Sequence, residues 1–314
     1  MISSEEDELV FELILDVAQA IGHRAYQYFA KWSLDHQADP FISTLQFLKQ
    51  YAKDEEEINH VYVFVLNAAG NVDDVLEKPY SHVFDLNAME QALTQQRKEW
   101  KLTTRSLQLL AALLKACLRV VRDGAAKGLE KRRVLYEQMC GLMEGLITQL
   151  LSIYRTEPAV LRLLIDSVGL IQFSSVETAS AVAAKLVELF ENETDLDMAN
   201  HILNITSHIV AQCTHAETLD LTSLLQEASM RAVSQWTEVN NKYGYQLLST
   251  EEDVKEEAAQ KMCVSLGRVV NVYCYVDCTK TLEEKQVMST ALILLSDIPE
   301  ATESMYFHIA FNIK

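Results

Sequence analysis

The stretch LTTRSLQLLAALLKACLRVVR, residues 102–122, decides the fold. Leu109, Leu110, Leu113, Leu114, Leu118 and Val121 recur at intervals of three and four, the spacing that lines one face of a 3.6-residue helix and that an alternating strand cannot reproduce. Lys115, Arg119 and Arg122 stand at i, i+4 and i+7 and fall together on the other face. The segment reads as a strongly amphipathic helix with one side for a core and one for water.

Outward from it the same pattern repeats with short breaks. Helices are expected at about 85–98, 129–155, 158–172, 175–191, 195–213, 217–240, 250–276, 282–296 and 301–312. Upstream, Ser3 or Ser4 can cap a first helix whose acidic start at 5–8 suits the positive end of the helix dipole, and Leu9, Leu13, Val17, Ala20, Arg24 and Phe29 follow at helical spacing. That helix ends near Asp39. Pro40 suits the first turn of a second, with Phe41, Leu45, Leu48 and Tyr51 on one face, and Asp54–Glu57 open a third. The run HVYVFVLN, 60–67, is rich in β-formers, but no hairpin partner flanks it. It reads as a buried helix, with a strand as the weaker option. The longest connection is AGNVDDVLEKPYSH, 69–82, where Gly, Asn, Asp and Pro gather; a second break, NKYGYQLLST, 241–250, leads to Ser249 and Glu252 at capping-box spacing.

These elements predict an all-α chain: an N-terminal helical segment over 1–68, a long connection over 69–84, and an antiparallel helical-repeat solenoid over 85–314. No fixed-period motif of the tetratricopeptide kind is visible, so an irregular HEAT-like stack fits better than a strict array. Composition agrees. The chain has 314 residues, 49% hydrophobic, with only 9 Gly and 4 Pro, the residues that punctuate strands and tight turns. Charge interrupts every long apolar run, so no spanning helix and no membrane partner are expected. The six cysteines lie in apolar stretches behind an acidic rather than basic N-terminus, which favours a reducing compartment.

Chemistry-bearing motifs are scarce. The sequence has no Gly-rich phosphate loop, no G-x-S-x-G elbow and no H-E-x-x-H, so no enzyme and no cofactor are expected. His201, His208, Cys213 and His215 form the best metal-like group, yet only Cys213 and His215 have the close spacing that structural zinc uses, and no metal is expected there. Cys274 and Cys278 share a helix face and read as core. Asp253, Glu256 and Glu257 sit in the first turns of a helix, where solvated charge suits the dipole.

One window stands apart. Residues 115–133 carry Lys115, Arg119, Arg122, Lys127, Lys131, Arg132 and Arg133 against Asp123 and Glu130, a net of +5 in a chain of −18. The charge continues across an expected Gly124–Gly128 turn into the next helix, so two helices present one basic corner. Two readings stay open: cations complementing a helix C-terminus, or a docking corner for an acidic peptide or the phosphate backbone of DNA.

LGRVVNVYCYVDCTK, 266–280, resembles a helix-ending segment of the stromalins, the stromal-antigen subunits of cohesin, in which an aromatic helix closes on an Asp-x-Thr turn, here Asp277 and Thr279. DIPEATESMYFHIAF, 297–311, resembles the helix opened by Pro-Glu that follows in that family, and LVELFENETDLDMANHILNITSHIVA, 186–211, is similar to a stromalin helix pair joined by a Thr-Asp turn. Residues 11–52 resemble the family's opening helices. The resemblance implies a non-enzymatic HEAT-repeat scaffold that binds an extended segment of a kleisin-type subunit. It also implies a nuclear, chromosome-associated protein supporting cohesion or pairing in mitosis or meiosis, with no kleisin-contacting residue carried over. The alternative is a generic HEAT- or armadillo-type adaptor for transport or another complex, which would have the same composition and periodicity.

Overall fold

The computed structural model describes residues 39–51, 61–62, 64–65, 81–97, 100–213 and 219–276. Among them every regular element is helical, so the chain is all-α. It divides into two compact units, residues 1–174 and 175–314. The expected helices over 282–296 and 301–312, the first helix, and most of the 69–84 connection lie outside the described residues.

Unit 1 begins with α1, Pro40–Tyr51. Pro40 opens it as expected, and Asp39 caps it: its Oδ1 accepts the N–H groups of Phe41 and Ile42 at 3.0 and 3.2 Å. Residues 61, 62, 64 and 65 are helical, with Val61, Phe64 and Val65 buried, so the described part of the β-rich run takes the buried-helix form. Phe64 lies 5.6 Å, ring to ring, from Phe47 of α1. A 3-10 turn, Ser81–Phe84, precedes α2, Leu86–Leu93, α3, Thr104–Ala126, α4, Glu130–Ile153, and α5, Pro158–Val168.

The helix from which the fold was read, α3, is less two-faced than its periodicity predicts. Residues 107–114 are buried without interruption, Gln108, Ala111 and Ala112 among them, and Ala116, Cys117 and Val120 follow. The reason is tertiary: α1, α2, α4 and α5 all pack on α3. Small side chains let neighbours approach on sides that a surface helix would leave to water. Only a strip holding Arg105, Lys115, Arg119 and Arg122 reaches outward.

The turn after α3 also differs from expectation. Gly124 is helical and buried; the helix runs on to Ala126, and the reversal is Lys127-Gly128-Leu129. Gly128 has φ +78°, a conformation that costs a side-chain-bearing residue, and the N–H groups of Gly128 and Leu129 close onto the carbonyls of Ala125 and Gly124 at 2.9 and 3.1 Å. This is a Schellman ending with Gly128 in the left-handed position. A Cβ on Gly124 would collide with Arg132 Cδ, so Gly124 serves as the floor for that side chain's aliphatic stem.

The described part of unit 2 holds α6, Val176–Asn192, α7, Leu196–Cys213, α8, Leu219–Tyr243, a 3-10 turn Gly244–Leu248, and α9, Glu252–Tyr273. Trp236, Phe190, Leu186, Ile202 and Leu203 lie in its core. Ser175 caps α6 as its position predicts, accepting Thr178 N–H at 3.1 Å. The capping box expected at Ser249 and Glu252 does not form. Ser249 Oγ instead accepts Glu251 N–H at 3.1 Å, and α9 starts two residues later than a box requires, at Glu252 behind an N-cap Glu251 whose side chain makes no cap bond. The preceding 3-10 turn delivers Ser249 in extended backbone and so sets that start.

Contacts between α9 and the start of α7 keep a constant register. Arg268 donates to the Glu193 carbonyl, Asn271 Nδ2 to the Leu196 carbonyl at 2.9 Å, and Tyr275 Oη to Asn200 Oδ1 at 3.0 Å, each pair 75 residues apart. Numbers rise together on both sides, so α7 and α9 run in the same direction here. Gly267 makes the approach close, since a Cβ there would strike the Leu196 side chain.

Candidate functional site

The seven cations of 115–133 do not converge on one point. Lys115 and Lys127 are twelve residues apart on and just beyond α3, about 18 Å along its axis at 1.5 Å per residue. Lys115 turns to α5, where its Nζ meets Asp166 Oδ2 at 2.5 Å, both side chains partly buried. Arg119 is exposed and lies over the Tyr62 ring, 4.7 Å from its centroid. Arg122 bonds the neighbouring Asp123, with Nη2 3.3 Å from Oδ1.

The remaining four gather at the α3–α4 turn. Arg133 pairs with Glu130 at 2.5 Å and stands 3.8 Å from Glu137. The hydrogen bond and charge of Arg133 hold the Glu130 carboxyl below its ordinary range, and the same bond raises Arg133. Arg132 lays its stem over Gly124. Lys127 and Lys131 are exposed, beside Leu129 and Val134, which keep 36% and 44% of their surface in contact with solvent. Asp166 and Glu137 thus join Asp123 and Glu130 in offsetting the window's charge. What remains is a basic turn edged by two apolar side chains.

The sequence reading missed the neutralising partners. Glu130, Arg133 and Glu137 stand at i, i+3 and i+7, a spacing legible in the sequence as helix-surface pairing. Asp166 is 51 residues from Lys115 and nothing local announces it. No protein-family model matches the chain, and no curated protein matches it. The chemistry of the site is therefore argued from its own residues.

A second concavity lies in unit 2, between α8, α9 and the 193–195 loop, lined by Gln235, Glu238, Gln260, Lys261, Ser265 and Arg268 among others. Its charges are mixed. Arg268 is half-buried, which lowers its pKa against the pull of Glu193 and Glu191, and its Nε and Nη2 both donate to the Glu193 carbonyl beyond the end of α6. Its role there is to satisfy a loop carbonyl next to a helix end.

Among the described residues no three His, Cys, Asp or Glu side chains are grouped to hold an ion. His201 and His208 lie on α7 with Cys213, and His215 is outside the described residues. Asp253, Glu256 and Glu257 are exposed at the start of α9, as their position predicts. Burial pushes up the thiols of Cys117, Cys140, Cys213, Cys263 and Cys274, which disfavours the thiolate that nucleophilic or metal chemistry needs. Cys274, expected in the core, is exposed just past the end of α9, where the helix stops and its face leaves the packed interior, and Cys278 lies outside the described residues. Among them no helix is long and apolar enough to cross a membrane.

Proposed function

We propose that this chain is a non-enzymatic helical-repeat scaffold, an antiparallel HEAT-like solenoid that binds an extended acidic segment of a partner protein. The observation that carries the reading is the order of packing. Among the described helices of each unit, those with substantial contact are near neighbours in chain order: α1, α2, α4 and α5 with α3 in the first, α6 with α7 and α8, and α9 with α7 and α8 in the second. Packing confined to near neighbours is the mark of a quasi-one-dimensional stack. The parallel run of α7 and α9, with α8 packed on both, is what an alternating stack requires.

Such a frame is rigid before the partner arrives, so the cost of ordering falls on the partner alone. The basic α3–α4 turn, with Lys127 and Lys131 beside Leu129 and Val134, is the docking point that suits an acidic segment with apolar anchors. The residues that resemble stromalins, 186–211 and 266–280 with 297–311, make a kleisin-type cohesin subunit the first partner to test, with the nucleus as the setting. The generic adaptor reading shares the surface but not that partner.

The experiment is a titration of a recombinant kleisin segment, and separately of duplex DNA, against wild type and the Lys127→Glu/Lys131→Glu variant at low and high salt. The expected result is binding of the kleisin segment that weakens as salt rises and falls about tenfold or more in the variant. Equal affinities for both proteins at both salts would refute the docking point. DNA binding without kleisin binding would replace the partner.

A further inference from the structure

The last residues of unit 1 form a strap along α4, fastened at three successive positions. Tyr136, Cys140 and Glu144 recur every fourth residue on one face of α4, about 6 Å apart along the axis. Leu170, Gln172 and Ser174 alternate along the irregular chain that leaves α5 and face them in the same order. Each rung is bonded. Tyr136 Oη donates to the Leu170 carbonyl at 2.7 Å, and the Gln172 N–H donates to Cys140 Sγ at 3.5 Å. Ser174 donates twice to the Glu144 carboxylate, from its N–H at 2.5 Å and from its hydroxyl at 2.6 Å.

The rungs differ in exposure. Tyr136 and Cys140 are buried, whereas Ser174 is exposed. Ser174 sits in irregular backbone just ahead of α6, with Glu177 three residues on. An exposed hydroxyl in non-helical chain with an acid at that position is a substrate that an acid-directed protein kinase, whose own site is basic, can accept.

We propose that Ser174 is a phosphorylation site and that its modification unfastens the end of the strap from α4. In the transfer from ATP, the Ser174 Oγ–phosphorus bond forms, the bond from the γ-phosphorus to the diphosphate oxygen breaks, ADP leaves, and the hydroxyl proton passes to the kinase's base. The hydroxyl loses its donor hydrogen and gains close to two negative charges, held against a carboxylate that it previously bonded. No cation neighbours the pair along the chain. The residues one turn either side of Glu144 on α4 are Cys140, Gly141, Ile147 and Thr148, and the one charge within three residues of Ser174 in the chain is Glu177. The adjoining Ser175 would respond in the opposite sense. Its Oγ accepts the Thr178 N–H at the start of α6, and a phosphate there would favour the helix dipole.

The test uses the full chain, a recombinant acid-directed Ser/Thr kinase and ATP with magnesium, with the modified residue located by tandem mass spectrometry and amide exchange followed before and after. Phosphate is expected on Ser174. Exchange at Gln172 and Ser174 should quicken about tenfold or more, with the middle of α6 still protected. In Glu144→Gln, which keeps an acceptor oxygen without the charge, phosphorylation should quicken exchange several-fold less. No phosphate on Ser174, phosphate on Ser175 alone, unchanged strap exchange after modification, or equal acceleration in Glu144→Gln would each overturn the proposal.

Discussion

Cys117 is fully buried in α3, its thiol donating to the Val83 carbonyl at 3.4 Å, and burial pushes its pKa far above the ordinary 9.0. Tyr136 and Tyr154 are raised above 10.0, burial again being the largest cause. The sign of the consequence follows. At alkaline pH the unfolded chain releases protons that the folded chain still holds, so the unfolded state binds fewer and stability falls as pH rises. Below about pH 9 both states are protonated at these groups and they cost nothing; above it the loss grows. Urea midpoints should therefore decline from about pH 9 upward, and Cys117→Ala should decline less steeply than wild type. Parallel slopes for the two proteins would show that Cys117 does not contribute. Arg132 teaches a related point. The sequence reading counts it as docking charge, but its stem covers Gly124, so the charge reversal that tests docking belongs at Lys127 and Lys131.

Glycines separate what a helix tolerates from what its neighbours demand. Gly141 and Gly145 lie on the outer side of α4, and a Cβ at either meets nothing within 4 Å. Gly141→Ala and Gly145→Ala should each stabilise by about 0.5–1 kcal/mol, the helix-propensity gain of Ala over Gly. Gly267 of α9 is also helical, but it lies under Leu196. Gly267→Ala forces that side chain aside and should forfeit the gain, with a net loss of about 1 kcal/mol or more. Gly128→Ala should cost about 1 kcal/mol because its φ is +78°. Chemical denaturation of the four variants checks the order. A stabilised Gly267→Ala would mean that α7 and α9 are less closely packed than described.

Packing between near neighbours in each unit makes stability local. Leu164 is fully buried in α5, and Leu164→Ala should cost about 2–5 kcal/mol through lost contacts and a residual cavity. In a stack the loss stays near its origin. Amide exchange should quicken through α3, α4 and α5 and remain at the wild-type rate in α8 and α9. Uniform acceleration through both units would indicate one cooperative body and count against the solenoid reading.

The sequence by itself determined that the chain is helical and where most described helices begin and end. Pro40 opens a helix where its position predicts, Ser175 caps another, and Leu spacing carries the rest, because capping and 3.6-residue periodicity act within a few residues. It also showed the basic window, which is a matter of composition alone. Only the tertiary structure decided how that window is used. Lys115 is neutralised by Asp166 from 51 residues away, Arg132 is turned into packing, and α3 is buried nearly all round instead of on one face. The constant 75-residue register of α9 on α7 and the strap that sets Ser174 against Glu144 are of the same kind. Each depends on which distant elements pack together, and that choice rests on the summed burial and shape of whole helices, which no short window of residues contains.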